Sequence, residues 1–195
     1  MFKIEIDVDG VLANLVDNPI IRERVRTVYP EYTAACVTKY DFSDLKEVNI
    51  DAYNIIFASF KDVDYMSSLP LFDGVIEGLQ RLHNLPVKMH VHTLIKGSME
   101  NVRGREAWLN QLTQYVPFDY TVDYLTKNMF NDTDILIEDC PANIEASNAK
   151  IKILIQHNYN KDYAETCRDV IVAQDFNHAT RIIEELVNNA AKTAL

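Results

Sequence analysis

The chain has 195 residues, 19 basic against 29 acidic side chains for a formal charge of −10, and 48% hydrophobic residues with 25% charged. That balance supports a globular core without disulfides or a structural metal, and the length suits one α/β domain with a small inserted subdomain. The acidic surface repels a nucleic-acid backbone and argues against a long nucleic acid as partner, yet leaves room for a small phosphorylated ligand, because local cations and a metal ion can invert the field inside a cleft.

The first apolar run predicts a strand over Phe2–Val8, turned by Asp9-Gly10. Asn18-Pro19 pairs an N-cap residue with a favoured first helical residue and starts a helix toward Tyr29. Apolar residues at helical spacing (Tyr53, Ile56, Phe57, Phe60) predict a helix over Asp51–Phe60. After Pro70 the pattern becomes α/β alternation. Helices are predicted at Gly74–Asn84, Ser98–Gln114 and His178–Asn188, with a helical turn at Ile144–Ala149. Strands are predicted at Val87–His92, Thr121–Leu125, Asp134–Ile137, Ile151–Gln156 and Val170–Val172. Such alternation predicts a parallel sheet covered by helices on both faces, a Rossmann-like α/β class. The stretch 14–70 does not alternate and reads as a helical cap inserted after strand one, leaving 1–13 and 71–195 as the core domain.

In sheets of this kind the functional site lies at the carboxyl ends of the strands. Three apolar runs end there in polar groups: Asp7 and Asp9, Thr93, and Glu138 with Asp139. Carboxylates at i and i+2 followed by a glycine can converge on one ligand, and an oxygen-only set suits Mg²⁺. A calcium loop begins with the same D-x-D-G letters but needs Glu at its twelfth position, where this chain has Asn18. A turn with capping aspartates would account for the first pair alone; the second acidic pair favours phosphoryl-transfer chemistry.

Asp7-Val8-Asp9-Gly10-Val11 resembles the first motif, D-x-D-G-[TV], of the haloacid dehalogenase superfamily. Thr93 resembles the Ser/Thr of its second motif. Glu138-Asp139-Cys140-Pro141-Ala142-Asn143-Ile144 is similar to the fourth, written D-D-x-x-x-N-I in the 5′(3′)-deoxyribonucleotidase branch. Trp108-Leu109 and Gln156-His157-Asn158-Tyr159-Asn160 point to the same branch, so the resemblance covers nearly the whole chain outside the cap. It implies that Asp7 attacks phosphorus to form an aspartyl-phosphate, while Asp9 protonates the leaving oxygen and then deprotonates water. It further implies that Mg²⁺ bridges Asp7, the main-chain carbonyl of Asp9 and Asp139, and that Thr93 and Lys127 hold the phosphate. Superfamily dehalogenases lack the second aspartate, so Asp9 favours phosphatase chemistry. Glu138 stands where the branch usually has Asp and is expected to act from behind the metal ligand Asp139.

The substrate implied is a (deoxy)nucleoside monophosphate. A sugar phosphate, a nucleic-acid 3′-phosphate end, or a catalytically weak module that binds a nucleotide or a partner are the other readings. Tyr40, Phe42, Phe57, Phe60 and Tyr65 are candidates to contact a base, though aromatic residues at helical spacing also build cores. His90-x-His92 reads as a pair of strand histidines and not as zinc ligands, and Lys3 and Glu5 are expected near the open end of strand one. The cysteines, Cys36, Cys140 and Cys167, are odd in number and lack C-x-x-C spacing, which predicts free thiols in a reducing compartment. With no apolar leader and no stretch approaching a membrane span, the expectation is a cytoplasmic protein without a membrane partner. Oligomeric state is not set by the sequence, and a homodimer is compatible with it.

Overall fold

The computed structural model describes residues 1–127 and 132–193; positions 128–131 and 194–195 of the expected core stretch lie outside the described residues. Strands β1 (Phe2–Ile6), β2 (Val87–Ile95), β3 (Asp119–Tyr124), β4 (Ile135–Glu138), β5 (Ile151–Ile155) and β6 (Ile171–Ala173) form one sheet in the order β3-β2-β1-β4-β5-β6. Every neighbouring pair is parallel. The helices are α1 (Pro19–Arg26), α2 (Ser43–Val48), α3 (Ile50–Ser59), α4 (Val63–Ser67), α5 (Val75–His83), α6 (Met99–Leu112), α7 (Pro141–Ala146), α8 (Lys161–Thr166) and α9 (Phe176–Thr193).

A parallel strand covered on both faces has to be apolar on both, and β4 meets that demand: Ile135, Leu136 and Ile137 are all fully buried. Ile135, Ile137, Ile153 and Ile155 join the main core with Phe176, Ala179 and Ile183 of α9. Leu136 and Leu154, pointing the other way, pack with Ile144 and Ala149. Each such side chain contributes about 1.5–3 kcal/mol by leaving water.

The helices α1–α4 fall between β1 and α5, where the sequence carries caps instead of alternation. The Asn18 side chain accepts from the Ile21 amide at the start of α1, Asn49 does the same for Ala52 in α3, and Asp62 accepts from Asp64 and Tyr65 in α4. The segment leaves and re-enters at one point: Ala13 bridges Leu71, the Asn14 amide donates to the Pro70 carbonyl and the Phe72 amide to the Leu12 carbonyl.

Two expectations need correction. Strand β2 continues to Ile95, so Thr93 lies inside the strand, paired with Val122, and does not end it. Glu5 is not at an open end. Lys3 is exposed there and pairs with Asp132, but Glu5 is buried in the middle of β1. Its carboxylate accepts from Thr133 Oγ1 at 2.9 Å and meets His92 Nδ1 at 2.8 Å, while His92 Nε2 lies 3.0 Å from Asp123. The physical reason is its surroundings. Thr133, just before β4, and His92, on the neighbouring strand β2, bring polar partners to the Glu5 carboxylate.

Burial opposes a charge on His92, but hydrogen bonds to Glu5 and Asp123 outweigh it and raise the imidazole pKa above its usual 6.5. A raised imidazole contributes stability that is complete below the unfolded value and fades as pH climbs through the folded one. Replacing Glu5 by Gln should therefore destabilise most in mildly acid solution, by about 3 kcal/mol, with the gap to wild type narrowing as pH rises. Urea midpoints taken across that pH range test this, and a gap that widens toward alkaline pH would contradict it.

Candidate active site

The strand order reverses direction between β1 and β4, and in open parallel sheets a ligand crevice forms at such a switch point. The chain arranges for both strands to end together. The Asp7 amide donates to the Ile137 carbonyl at 3.0 Å, holding Asp7 in register with β4. Beyond it the Val8 carbonyl accepts from the amides of Leu12 and Ala13 at 2.8 Å each, which closes a tight turn through Gly10 at φ +79°. A Cβ on Gly10 would sit 2.1 Å from Asp139 Oδ2, so only glycine lets the turn approach the end of β4.

Asp7, Glu138 and Asp139 are buried and can place one carboxylate oxygen each within 4.8 Å of one another. Lys127 Nζ donates to Asp7 Oδ1 at 2.5 Å and to Glu138 Oε2 at 2.8 Å. Glu138 is otherwise filled: its Oε1 accepts from the amides of Asp139 and Cys140, and Oε2 also accepts from Asn143 Nδ2 at 3.0 Å. Asp139 differs. Its Oδ2 accepts from the Tyr159 hydroxyl at 2.5 Å, while Oδ1 is buried and finds no hydrogen-bond donor.

Three carboxylates facing one ammonium leave an excess of negative charge in a dry space. Burial first, and then the neighbouring Glu138 carboxylate, push the Asp7 pKa from 3.8 up to about 7, against the pull of Lys127. The same two causes raise Asp139 well above the carboxylate range. Lys127 is held protonated: burial disfavours its charge, but Asp7 and Glu138 more than compensate. An oxygen-only set with surplus negative charge and an orphaned carboxylate oxygen fits a hard divalent cation such as Mg²⁺.

Asp9 lies apart from that cluster. Its Oδ1 accepts from Arg105 Nη2 of α6 at 2.6 Å, and Arg105 is fully buried. Thr93 is buried in β2 and, with Asp7, Asp9, Lys127 and Asp139, lines a cleft of about 1050 Å³. The cleft is also lined by the aromatic side chains Tyr40, Phe42, Tyr53, Phe57 and Phe60. Phe42 and Phe57 meet edge to face at 5.7 Å between ring centres. Tyr65 corrects the sequence expectation, since its ring is buried in the core and its hydroxyl donates to the Leu15 carbonyl and accepts from Asn18. His90 Nε2 lies 2.9 Å from Thr121 Oγ1, and His92 sits between the carboxylates of Glu5 and Asp123.

Four further residues meet at the site, and the sequence assigns none of them a role there. Arg105 and Tyr159 are two of them. His157 donates from Nε2 to the Gly10 carbonyl at 2.6 Å and is kept neutral by burial. Asn160 donates to the carbonyls of Asp139 and Ile155. The stretch Gln156–Asn160 had stood out by resemblance, but the individual contacts arise from how the loop after β5 folds back on the turn at Gly10.

A family model described as 5′ nucleotidase, deoxy (pyrimidine), cytosolic type C matches residues 1–188. The chain belongs to this family. It is accordingly a phosphatase of the haloacid dehalogenase superfamily. Among solved structures it is similar to D,D-heptose 1,7-bisphosphate phosphatase from B. bronchiseptica, described in complex with magnesium and phosphate. That match has a TM-score of 0.56 and 12% identity over 95% of this chain and 99% of that one. A Had-superfamily hydrolase from Ehrlichia chaffeensis matches at TM-score 0.54 and 15% identity, over 95% and 97% of the two chains. D,D-heptose 1,7-bisphosphate phosphatase from Burkholderia thailandensis matches at TM-score 0.54 and 10% identity, over 94% and 98%. These likenesses are of fold. No curated protein matches the chain in sequence. No helix among the described residues is long and apolar enough to cross a membrane.

The raised carboxyl groups set a pH test for the cation. Asp7 and Asp139 bind protons more tightly folded than unfolded, so without metal their contribution favours the fold at acid pH and is lost as pH rises, for Asp7 from about 4 through about 7. A divalent cation takes over as those protons leave. The Mg²⁺-induced rise in Tm should be larger at pH 8 than at pH 5 and shrink in Asp139→Asn; a rise equal at both pH values would contradict this electrostatic picture.

Proposed function

We propose that the chain is a Mg²⁺-dependent phosphatase that hydrolyses (deoxy)nucleoside monophosphates to nucleoside and phosphate through an aspartyl-phosphate at Asp7. The observation that carries this reading is the Asp7 carboxylate, held by Lys127 beside Glu138 and Asp139 in a cleft that aromatic side chains also line. The family match over 1–188 supports the nucleotide as substrate. In this reading residues 14–70 are a cap closing over a core made of 1–13 and 71–195. The aromatic side chains then offer a base a surface on which to stack.

In the first step an Asp7 carboxylate oxygen attacks phosphorus, and the bond to the ester oxygen breaks with its electron pair passing to that oxygen, which takes a proton from Asp9. In the second, Asp9 takes a proton from water as the water oxygen attacks the same phosphorus. The bond to Asp7 breaks, its carboxylate is restored, and inorganic phosphate leaves. Thr93 and Lys127 orient the phosphoryl oxygens, and Lys127 keeps Asp7 aimed by its 2.5 Å contact. Asp7, Asp139 and the main-chain carbonyl of Asp9 would hold Mg²⁺, which supplies neutralisation of phosphoryl charge. Glu138, its oxygens already occupied, acts from behind by fixing Lys127 and the Asp139 amide. A cytosolic setting agrees with the family's name and with Cys36, Cys140 and Cys167 being free thiols.

Phosphate release from a panel of deoxy- and ribonucleoside monophosphates and sugar phosphates tests the reading. Turnover of deoxynucleotides should require Mg²⁺, stop with EDTA and fall by about 1,000-fold or more in Asp7→Asn. Turnover confined to sugar phosphates would contradict the nucleotide, and full activity in Asp7→Asn would contradict the chemistry.

A further inference from the structure

Arg105 has no place in the reaction as written, yet its position is hard to explain as packing. It sits on the face of α6 that also carries Asn101, Gly104 and Trp108, and that face is buried. Helix α4 lies against α6, and Gly104 makes room for it: a Cβ there would sit 3.2 Å from the Val63 carbonyl. Beneath this contact the guanidinium is completely shielded from solvent. A buried guanidinium normally fills its fork of donors, because each unmet donor costs free energy. Here Nη2 reaches Asp9 Oδ1 at 2.6 Å, while Nε and Nη1 have no acceptor among the described residues, and the group leans over the Trp108 ring at 5.5 Å. Its one ionic hydrogen bond among the described residues goes to a single carboxylate oxygen.

The other oxygen of that carboxylate is left available. Asp9 lines the cleft with its side chain 27% exposed, and among the described residues Oδ2 makes no hydrogen bond. We infer that Arg105 is the positioning residue of Asp9: by fixing Oδ1 from behind, it presents Oδ2 toward the cleft as the one oxygen that passes the proton to the leaving group. This rests on the role proposed above for Asp9. A carboxylate free to rotate would offer either oxygen in many orientations. One tied by a charged hydrogen bond to a buried partner is held in place before substrate arrives.

The test uses the demand of the leaving group for a proton. An alkoxide must be protonated as it departs, whereas the p-nitrophenolate of p-nitrophenyl phosphate leaves without one. Wild type, Asp9→Asn, Arg105→Lys, Arg105→Met and the double variant Asp9→Asn/Arg105→Met are compared on p-nitrophenyl phosphate and on an alkyl phosphate that wild type turns over. General acid catalysis is worth about 100-fold or more. Because both esters pass through the same aspartyl-phosphate, whose hydrolysis also uses Asp9, the losses are read in kcat/KM, which reports the steps through departure of the leaving group. Arg105→Met should lose about that factor in kcat/KM for the alkyl ester and much less for the aryl ester. That aryl turnover also reports that the variant is folded. Arg105→Lys, which keeps a shorter cation, should recover part of the loss. The double variant should be no worse than Asp9→Asn alone, since both remove one function.

Equal losses in kcat/KM on the two esters in the Arg105 variants, or additive losses in the double variant, would overturn the inference while leaving Asp9 its role. Equal losses in kcat/KM on the two esters in Asp9→Asn would instead remove the role of Asp9 as acid to the leaving group, on which the inference rests.

Discussion

Three carboxylates and one ammonium share the buried space where β1 and β4 end, and the architecture around them is organised by that imbalance. Among the described residues Lys127 is the cation paired with this cluster, and burial opposes ionisation of Asp7 and Asp139. Glu138 resolves its share internally, with two amides, Asn143 and the lysine on its oxygens. Asp7 and Asp139 do not, and burial drives their protons back on. What remains is a place for a hard cation and a phosphoryl group together, a cation to cancel the surplus and an anion for the cation and Lys127 to hold. The glycine at position 10 is the steric counterpart of this charge arrangement, because any side chain there would drive the two strand ends apart.

A second carboxylate is kept out of the cluster by its own cation. Asp9, only two residues from Asp7, is turned to Arg105 on α6, so the two aspartates of one short motif are held in opposite environments. One sits among carboxylates at the floor of the cleft, and the other is tied to a guanidinium at its side. Pairs of carboxyl groups held in unlike surroundings are how a single site divides nucleophile from acid. The partner of Asp9 comes from the helix that also receives α4, which links the 14–70 segment to the position of Asp9 as well as to the shape of the cleft.

Much of the core was legible because it obeys strong local rules. The apolar run Ile135–Ile137 can only be a strand buried on both faces, and the acidic pair that ends it has to emerge at the carboxyl edge. Asn18-Pro19 announces a helix through capping chemistry alone, and the structure places Asn18 as the cap. The misreadings were non-local. Glu5 looks misplaced in a central strand until Thr133 and His92, distant in sequence, arrive beside it. Tyr65 and Phe57 look alike as aromatics in a helical segment, and only packing sends one into the core and the other to the cleft wall. Arg105 has no local pattern, since a charged residue on a helix is ordinarily solvated, and Tyr159 lies in a stretch marked by resemblance whose letters alone do not aim it at Asp139.

The central claim is that Asp7 itself carries the phosphoryl group, and chemical trapping addresses it directly. The enzyme with Mg²⁺ is mixed with p-nitrophenyl phosphate, quenched in acid within one turnover and reduced with borohydride, which converts an acyl phosphate to an alcohol. Asp9→Asn is run in parallel, because loss of the group that activates water should let the intermediate accumulate. Peptide mass spectrometry should then find homoserine at position 7, formed no more slowly than nitrophenolate is released. Reduction at another residue, or nitrophenolate release in both proteins with position 7 still aspartate, would contradict it.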